Sequence, residues 1–304
     1  MLSAYTTSAI AAFIVNQIYL DRAQLLVTKS SAAASSTTAL PSPWSQLWVI
    51  LRRNSLNNLR NPGIFWMRLV INSVLAVMVG TMYLSTNSKI SDTDISILLF
   101  GGHAFLVMLT IAVVPFFIEE RAVFLRERLN SSLNVLSYVV ANYLAALPGI
   151  LTIAVTASLL IVYLVGLKSY WWFLLNLFLS MLAAESLMRV IGAASPHGII
   201  GLAIGASVFG VFMVCEGFMI PAHAIPVYWL WGHYLAFHTY AYEAFMYKQF
   251  MPELGSDEPI PLILQRMRMT EVHVERNMAI LLGYSLGLEV VFIAILYIVH
   301  TGRR

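Results

Sequence analysis

Charge is what this sequence has least of. Lys and Arg number 18 and Asp and Glu 15 among 304 residues, 11% in all, where a soluble domain carries about 25%. A surface so poor in charge cannot be kept in water, and the mean hydropathy of +0.78 agrees. Soluble enzymes, disordered chains and nucleic-acid binders are excluded. Cysteine is nearly absent: Cys215 alone cannot form an internal disulfide or a cysteine-rich metal centre. No G-x-x-x-x-G-K-[ST] loop occurs, so these residues cannot cradle and hydrolyse ATP in the usual way. Asp occurs only at 21, 92, 94 and 257, outside every long apolar run, which excludes an intramembrane aspartyl protease, and no H-E-x-x-H zinc motif is present. The chain is an integral membrane protein.

What is there is apolar helix. A span needs roughly 20 mostly apolar residues, and six stretches qualify: 64–84, 95–118, 137–166, 171–194, 199–220 and 278–300. None alternates with period two, so a membrane β-barrel is not indicated. The expected fold is an all-α, multi-pass bundle of six helices. Residues 2–20 are a weaker seventh stretch, diluted by Thr6, Thr7, Ser8, Asn16 and Gln17 and read as a packed or interfacial helix. Residues 28–43, TKSSAAASSTTALPSP, read as a flexible linker.

After it, Ser42 can cap a helix whose first turn holds Pro43. Trp44, Leu47, Trp48 and Leu51 then share one face, with Gln46, Arg52, Arg53, Asn57 and Arg60 mostly elsewhere. This is an amphipathic helix for the membrane interface, broken at Asn61-Pro62-Gly63; its polar face would equally suit a partner domain. Orientation follows from the basic residues. With both termini cytoplasmic, Arg52, Arg53, Arg60, Arg68, Arg121, Arg126, Arg128, Arg303 and Arg304 lie inside, and the short outer loops hold only Lys89 and Lys168. The outer segment 221–277 begins with PAHAIPVYWLWGHYLAFHTYAYEAFMYKQF, whose aromatics suit the headgroup level. It is read as one or two short helices dipping into the outer leaflet as a lid, with a more polar, external second half.

Ionisable residues within the spans should face protein or a cavity. Glu185 and Arg189 are four apart on one helix and can pair as a structural or coupling latch. Glu216 and Glu289 have no partner visible in the sequence. Proton coupling through them defines an alternative function, an ion-coupled secondary transporter or channel, although no internal repeat supports it. His233, His238 and Glu243, spaced by five, match no common metal motif, so no metal site is expected. Gly205-Ala206-Ser207-Val208 faintly resembles the G-x-S-G of rhomboid-type intramembrane proteases, but the one histidine of the last span, His300, sits at its cytoplasmic end. Small residues such as Gly201, Gly205 and Ser207 more often mark close helix packing. The segment EERAVFLRERLNSS, 119–132, sets charges around Phe124, Leu125 and Leu129, the surface expected of a socket for another domain.

Four pieces in order carry a resemblance: PWSQLWVILRRNSLNNLRNP before the first span, IEERAVFLRERLNSSLNVLSYVVAN after the second, AESLMRVIGAASPHGIIG joining the fourth to the fifth, and IPVYWLWGHYLAFHTYAYEAFMYKQF after the fifth. Together they resemble the membrane domain of G-subfamily (White-type) ATP-binding-cassette half-transporters, over about residues 42–304. The resemblance implies an ABC-2 type membrane domain that works as a homo- or heterodimer in the lipid of the plasma membrane. It also implies a nucleotide-binding domain holding ATP and Mg, which is missing from this sequence; residues 1–41 look like the tail of its connection. The family's outer-loop cysteines are missing too. By position, 43–60 look like the connecting (elbow) helix and 119–130 like the coupling helix, with Glu120, Arg121, Phe124, Arg126 and Glu127 in its motif. The substrate cavity would fall at the two-fold axis, lined by Gly101, Phe105, Met108 and Ala112 on the second span and Gly205, Phe209 and Met213 on the fifth. Phe218 and Met219 match the apolar plug above it. The implied function is export of an apolar or lipid-like substrate by alternating access.

Overall fold

A computed structural model of the chain describes residues 16–17, 19–21, 42–84, 91–131, 133–251 and 259–299. The chain divides into two units, 1–42 and 43–304. In the first, 16–17 and 19–21 are helical; the remainder of the weak seventh stretch, most of the linker and His300 lie outside the described residues. In the second unit every regular element among the described residues is helical, as expected.

Helix α1, Pro43–Arg60, ends at Asn61, whose side chain accepts from the Gly63 amide and starts a π-helical turn, Pro62–Trp66. Helix α2, Met67–Met82, follows directly. Helix α3, Asp92–Met108, is capped by Ser91 and passes through a 3-10 turn, Leu109–Ala112, into α4, Val113–Ser131. Helix α5, Val135–Val165, is capped by Asn134 and ends at Gly166, whose φ of 76° is one that glycine adopts without a Cβ penalty. Helices α6, Tyr170–Ala194, and α7, Gly198–Cys215, complete the first run. Short 3-10 turns then lead to α8, Leu230–Leu235, and α9, Phe237–Phe250. Last come α10, Leu262–Met267, and α11, Val274–Ile298.

Among the described residues, five helical stretches are long and apolar enough to cross a membrane: Asp92–Asn130, Val135–Val165, Tyr170–Ala194, Gly198–Cys215 and Val274–Ile298. The expected first span is the shorter α2 with the π-helical turn before it. The expected loop helix at 119–130 is no separate element, because the second span runs through it.

Helix α6 sits at the centre, buried almost all round from Leu179 to Arg189. Around it lie two apolar cores. The larger joins α3, α5, α6, α7, α9 and α11. The smaller joins Ile50 of α1, Phe117 and Phe124 of α4, Tyr138 of α5 and Phe292 and Leu296 of α11. Helix α1 divides its apolar residues: Ile50 is buried against the bundle, while Trp44 and Trp48 are exposed. The aromatic segment differs from a surface lid. Val227, Tyr228, Trp231 and Tyr234 are exposed, but α9 enters the core, burying Phe237, His238, Tyr242, Phe245 and Met246. Two of its polar groups are met there: Asn176 donates to the Ala241 carbonyl at 2.8 Å, and the Tyr242 hydroxyl lies 2.8 Å from that of Ser96.

Candidate functional site

Four charged side chains from three helices form one buried chain. Glu185 and Arg189, a turn apart on α6, pair at 3.1 Å. Arg68, at the start of α2, reaches the other Glu185 oxygen at 2.9 Å. Arg189 also reaches Glu289 of α11 at 2.6 Å, and Glu289 accepts from the Ser186 hydroxyl at 3.0 Å. The signs alternate and cancel, two positive and two negative. Cancellation is what makes the burial tolerable, because removing one partner leaves an uncompensated charge out of water. The Arg189 guanidinium also lies 5.7 Å from the centre of the Tyr143 ring. The pairing of Glu185 with Arg189 expected from their spacing is present in the structure; the further partners Arg68 and Glu289 carry no local signal in the sequence.

Glu216, just past the end of α7, belongs to a second cluster. Its carboxylate is fully buried 4.0 Å from Nδ1 of His103 on α3, and the His103 ring lies 5.7 Å from that of His238 on α9. None of the polar atoms of these three side chains has a hydrogen-bond partner among the described residues. Three ionisable groups brought together from three separate elements are available to hold or pass a proton. They are flanked by Phe209, Phe212, Phe237 and Phe245. His233 is elsewhere, its Nδ1 2.8 Å from the Cys215 carbonyl oxygen, and Glu243 accepts from Asn277. Among the described residues no group of three or more His, Cys, Asp or Glu could hold a metal ion.

Phe105, Met108 and Ala112 are exposed along α3 and the turn after it, and Gly101 is half-buried on the same helix. On α7, Gly205 and Phe209 are instead buried within the chain. A Cβ at Gly205 would stand 2.9 Å from the Met188 sulfur, and Phe209 packs on Phe237 and His238. Met213 is half-buried, and the exposed side of α7 carries Ile204, Ser207, Val211 and Val214. Phe218 stacks on Phe100 at 4.4 Å, while Met219 is exposed.

The residues of 119–130 divide between inside and outside. Phe124 is not part of an outward ridge: it is buried, 4.3 Å from the Tyr138 ring. Arg121 donates to the carbonyls of Gly192, Ala193 and Ser195 at 3.0, 2.9 and 2.8 Å, closing the end of α6. Glu127 is ion-paired with Arg53 of α1. Glu120 is half-buried, whereas Val123, Arg126 and Leu129 are exposed. Helix α1 is also tied to α5, where Asn54 donates to Asn142 and Asn58 to the Ala145 carbonyl.

The sequence is similar to known proteins. Residues 45–250 match the ABC-2 type transporter family. The chain is similar to ABC transporter G family member 11 of Arabidopsis thaliana, 34% identical over 60% of this chain and 26% of the relative. It is 28% identical to ABC transporter G family member STR2 of Petunia hybrida, over 63% of this chain and 27% of the relative. It is 28% identical to Arabidopsis ABC transporter G family member 13, over 72% and 33%. The matched stretch thus spans a third or less of each of these relatives. The chain belongs to the ABC-2 type transporter family and corresponds to the membrane domain of G family ABC transporters.

Proposed function

We propose that the chain is the membrane half of an ATP-driven exporter that moves an apolar or lipid-like substrate across the plasma membrane. Two such halves, identical or different, would enclose the substrate between them and alternate between inward and outward openings, with both termini on the cytoplasmic side. What supports the reading is the family match over 45–250, together with relatives that are named ABC transporters. The 304 residues contain no G-x-x-x-x-G-K-[ST] loop that would cradle ATP phosphates. ATP and Mg would be held by a nucleotide-binding domain outside these residues.

Placement in the fold supports a role for each of the residues concerned. Phe105, Met108 and Ala112 offer an apolar, uncharged face to the substrate, with Gly101 as the small residue above them. Gly205, Phe209 and Met213 set the shape of the fifth span from behind that helix's exposed side, and Phe218 and Met219 form the plug. The segment 119–130 receives the push of the nucleotide-binding domain through its exposed Arg126. Arg121, Phe124 and Glu127 pass it to α6, α5 and α1, to which they are joined, and Glu120 lies at the edge of the buried ionic chain formed by Arg68, Glu185, Arg189 and Glu289.

The test is affinity purification of the tagged chain from its native membrane, followed by transport of a fluorescent lipid in proteoliposomes. A co-purifying polypeptide with a nucleotide-binding domain and ATP-dependent transport support the proposal. A chain that carries no such partner and transports only down a proton gradient refutes it. A second reading, an ion-coupled transporter, is favoured by the His103, Glu216 and His238 cluster, and that second outcome is its signature.

A further inference from the structure

His103, Glu216 and His238 meet from three elements, within α3, just past the end of α7 and at the start of α9, and are 2%, 0% and 0% exposed. His103 lies against Phe245, and His238 against Phe209, Phe212 and Phe237. Among the described residues Glu216 meets no lysine or arginine, and its ion-pairing partner is His103 Nδ1 at 4.0 Å. The titratable groups nearby are engaged elsewhere. His233 of α8 is turned to the Cys215 carbonyl, Tyr242 of α9 to Ser96, and Tyr284 of α11 packs on Phe237. Glu185 and Arg189 of α6 belong to the chain formed with Arg68 and Glu289. Cys215, beside Glu216 in sequence, is a buried free thiol.

Counted from a carboxylate and two neutral imidazoles, this cluster is negative with no added proton, neutral with one and positive with two. A group that is ionised and buried among apolar side chains must be paired or neutralised, so only the form with one proton suits the site. The proton can sit on Glu216, giving a neutral acid beside a neutral imidazole. It can equally sit on His103 Nδ1, giving an ion pair. The count is the same, and His238 is neutral in both.

We infer that His103, Glu216 and His238 form a buried site for a single proton, and that this proton locks α3, α7 and α9 together where they meet. In water a glutamate titrates near about 4.3 and a histidine near about 6.5. Opened to water, the cluster therefore binds about two protons at about pH 5 and almost none at about pH 8. Opening takes up one proton in acid and releases one in alkali. The closed form gains stability with rising pH where the open form binds more protons, and loses it where the open form binds fewer. The junction is therefore firmest near about pH 6.5, and its rare openings become about ten-fold more frequent at about pH 5 and again at about pH 8. These are openings of the chain without ATP or substrate, so the inference can fail while either transport reading stands, and the reverse.

The experiment reads these openings at Cys215, the sole cysteine. The full chain in phosphatidylcholine nanodiscs is treated with a dithiodipyridine, which reacts with thiols in acid as well as alkali, at a temperature at which the parent thiol reacts. Dividing each rate by that of a cysteine peptide at the same pH removes the chemistry of the thiol itself. The parent should show a minimum with a rise on both sides. Glu216→Gln leaves no proton in the closed cluster, so its alkaline rise should vanish and its acid rise should steepen to more than about 100-fold. His238→Gln removes one of the two sites filled in acid, so its acid rise should vanish and its alkaline rise should remain. Titration elsewhere in the chain is common to parent and variants and cancels in the comparison. Should Glu216→Gln fail to fold, His238→Gln carries the same requirement from the other side. The inference is overturned by a parent profile without a minimum, or by a folded variant that keeps both rises.

Discussion

Arg189 holds two carboxylates at once, 3.1 Å from Glu185 and 2.6 Å from Glu289, with its side chain 5% exposed. Replacing it with leucine leaves Glu185 to Arg68 and strands Glu289 with only the Ser186 hydroxyl. Breaking a buried pair from one side costs about 3–5 kcal/mol. At about 2 °C per kcal/mol for a large domain, the midpoint should fall by roughly 6–10 °C. The chain supplies its own reporter: Cys215 is the sole cysteine and is buried, so a thiol-reactive coumarin maleimide becomes fluorescent only as the bundle opens on heating. The second half of the test is the double variant Arg189→Leu with Glu289→Gln. It removes the stranded charge along with its partner and should recover most of the loss, since exchanging a whole buried pair for neutral groups is close to energetically neutral. Arg189→Lys should fall between, because an ammonium lacks the planar fork that reaches both acids. A single variant melting within about 2 °C of the parent, a shift worth only about 1 kcal/mol, would refute the argument. So would a double variant no more stable than the single.

The same melt separates two glycines of α7. A Cβ at Gly201 would stand 2.6 Å from Val114, so Gly201→Ala should cost about 1–3 kcal/mol. A Cβ at Gly210 meets nothing within 4 Å, so Gly210→Ala should gain up to about 1 kcal/mol of helix propensity; equal effects would show the packing to be different. Tyr242→Phe strands the buried Ser96 hydroxyl and should destabilise by about 1–2 kcal/mol, with Ser96→Ala adding little on top. Arg121→Met strips three carbonyls at the end of α6, so amide exchange there should quicken by roughly ten- to a hundred-fold, and unchanged protection would deny the cap its role. Glu216→Gln keeps the shape of its site and removes the ionisable group. Under the ATP-driven reading transport is the same in both proteins at every pH, while a pH dependence lost in the variant would favour the ion-coupled one.

Most of the bundle is legible in the sequence because an apolar run is a local property. The failures are equally local. The run EERAVFLRER reads as a short helix of its own, whereas α4 is continuous through it from Val113 to Ser131. Part of its charge is met within the fold, Arg121 by the open carbonyls of α6 and Glu127 by Arg53, and Phe124 turns inward onto Tyr138. Asn61-Pro62-Gly63 reads as a break and is one, since α1 ends at Arg60 and Asn61 is extended; what the sequence does not show is that the Asn61 side chain caps the Gly63 amide and starts a π-helical turn at once. The aromatics of 226–250 read as a headgroup belt. Composition cannot say that half of them turn inward, since that depends on Ser96, Asn176 and Asn277 waiting in other helices to satisfy α9.

The same reasoning divides the site. Glu185 and Arg189 are legible together because both lie on one helix, where spacing by four guarantees proximity. Arg68 and Glu289 complete their chain across 117 and 100 residues of sequence, and no local pattern spans that. Helical spacing puts Gly205, Phe209 and Met213 on one face but does not say which way that face turns. Close approach to Met188 turns much of it inward. A charge count does carry a usable signal. Of the ionisable residues deep in the bundle, the two arginines are consumed by Glu185 and Glu289, leaving Glu216 with no cation to meet it. An acid in that position must sit beside groups that can share its proton, and the side chains best suited to that are histidines. Within the six apolar runs histidine occurs at 103 and 300 alone, and only His103 lies well inside its run. Once the fold has paired both arginines, charge balance and position leave His103 as the group that meets Glu216, a neighbour the sequence alone does not name.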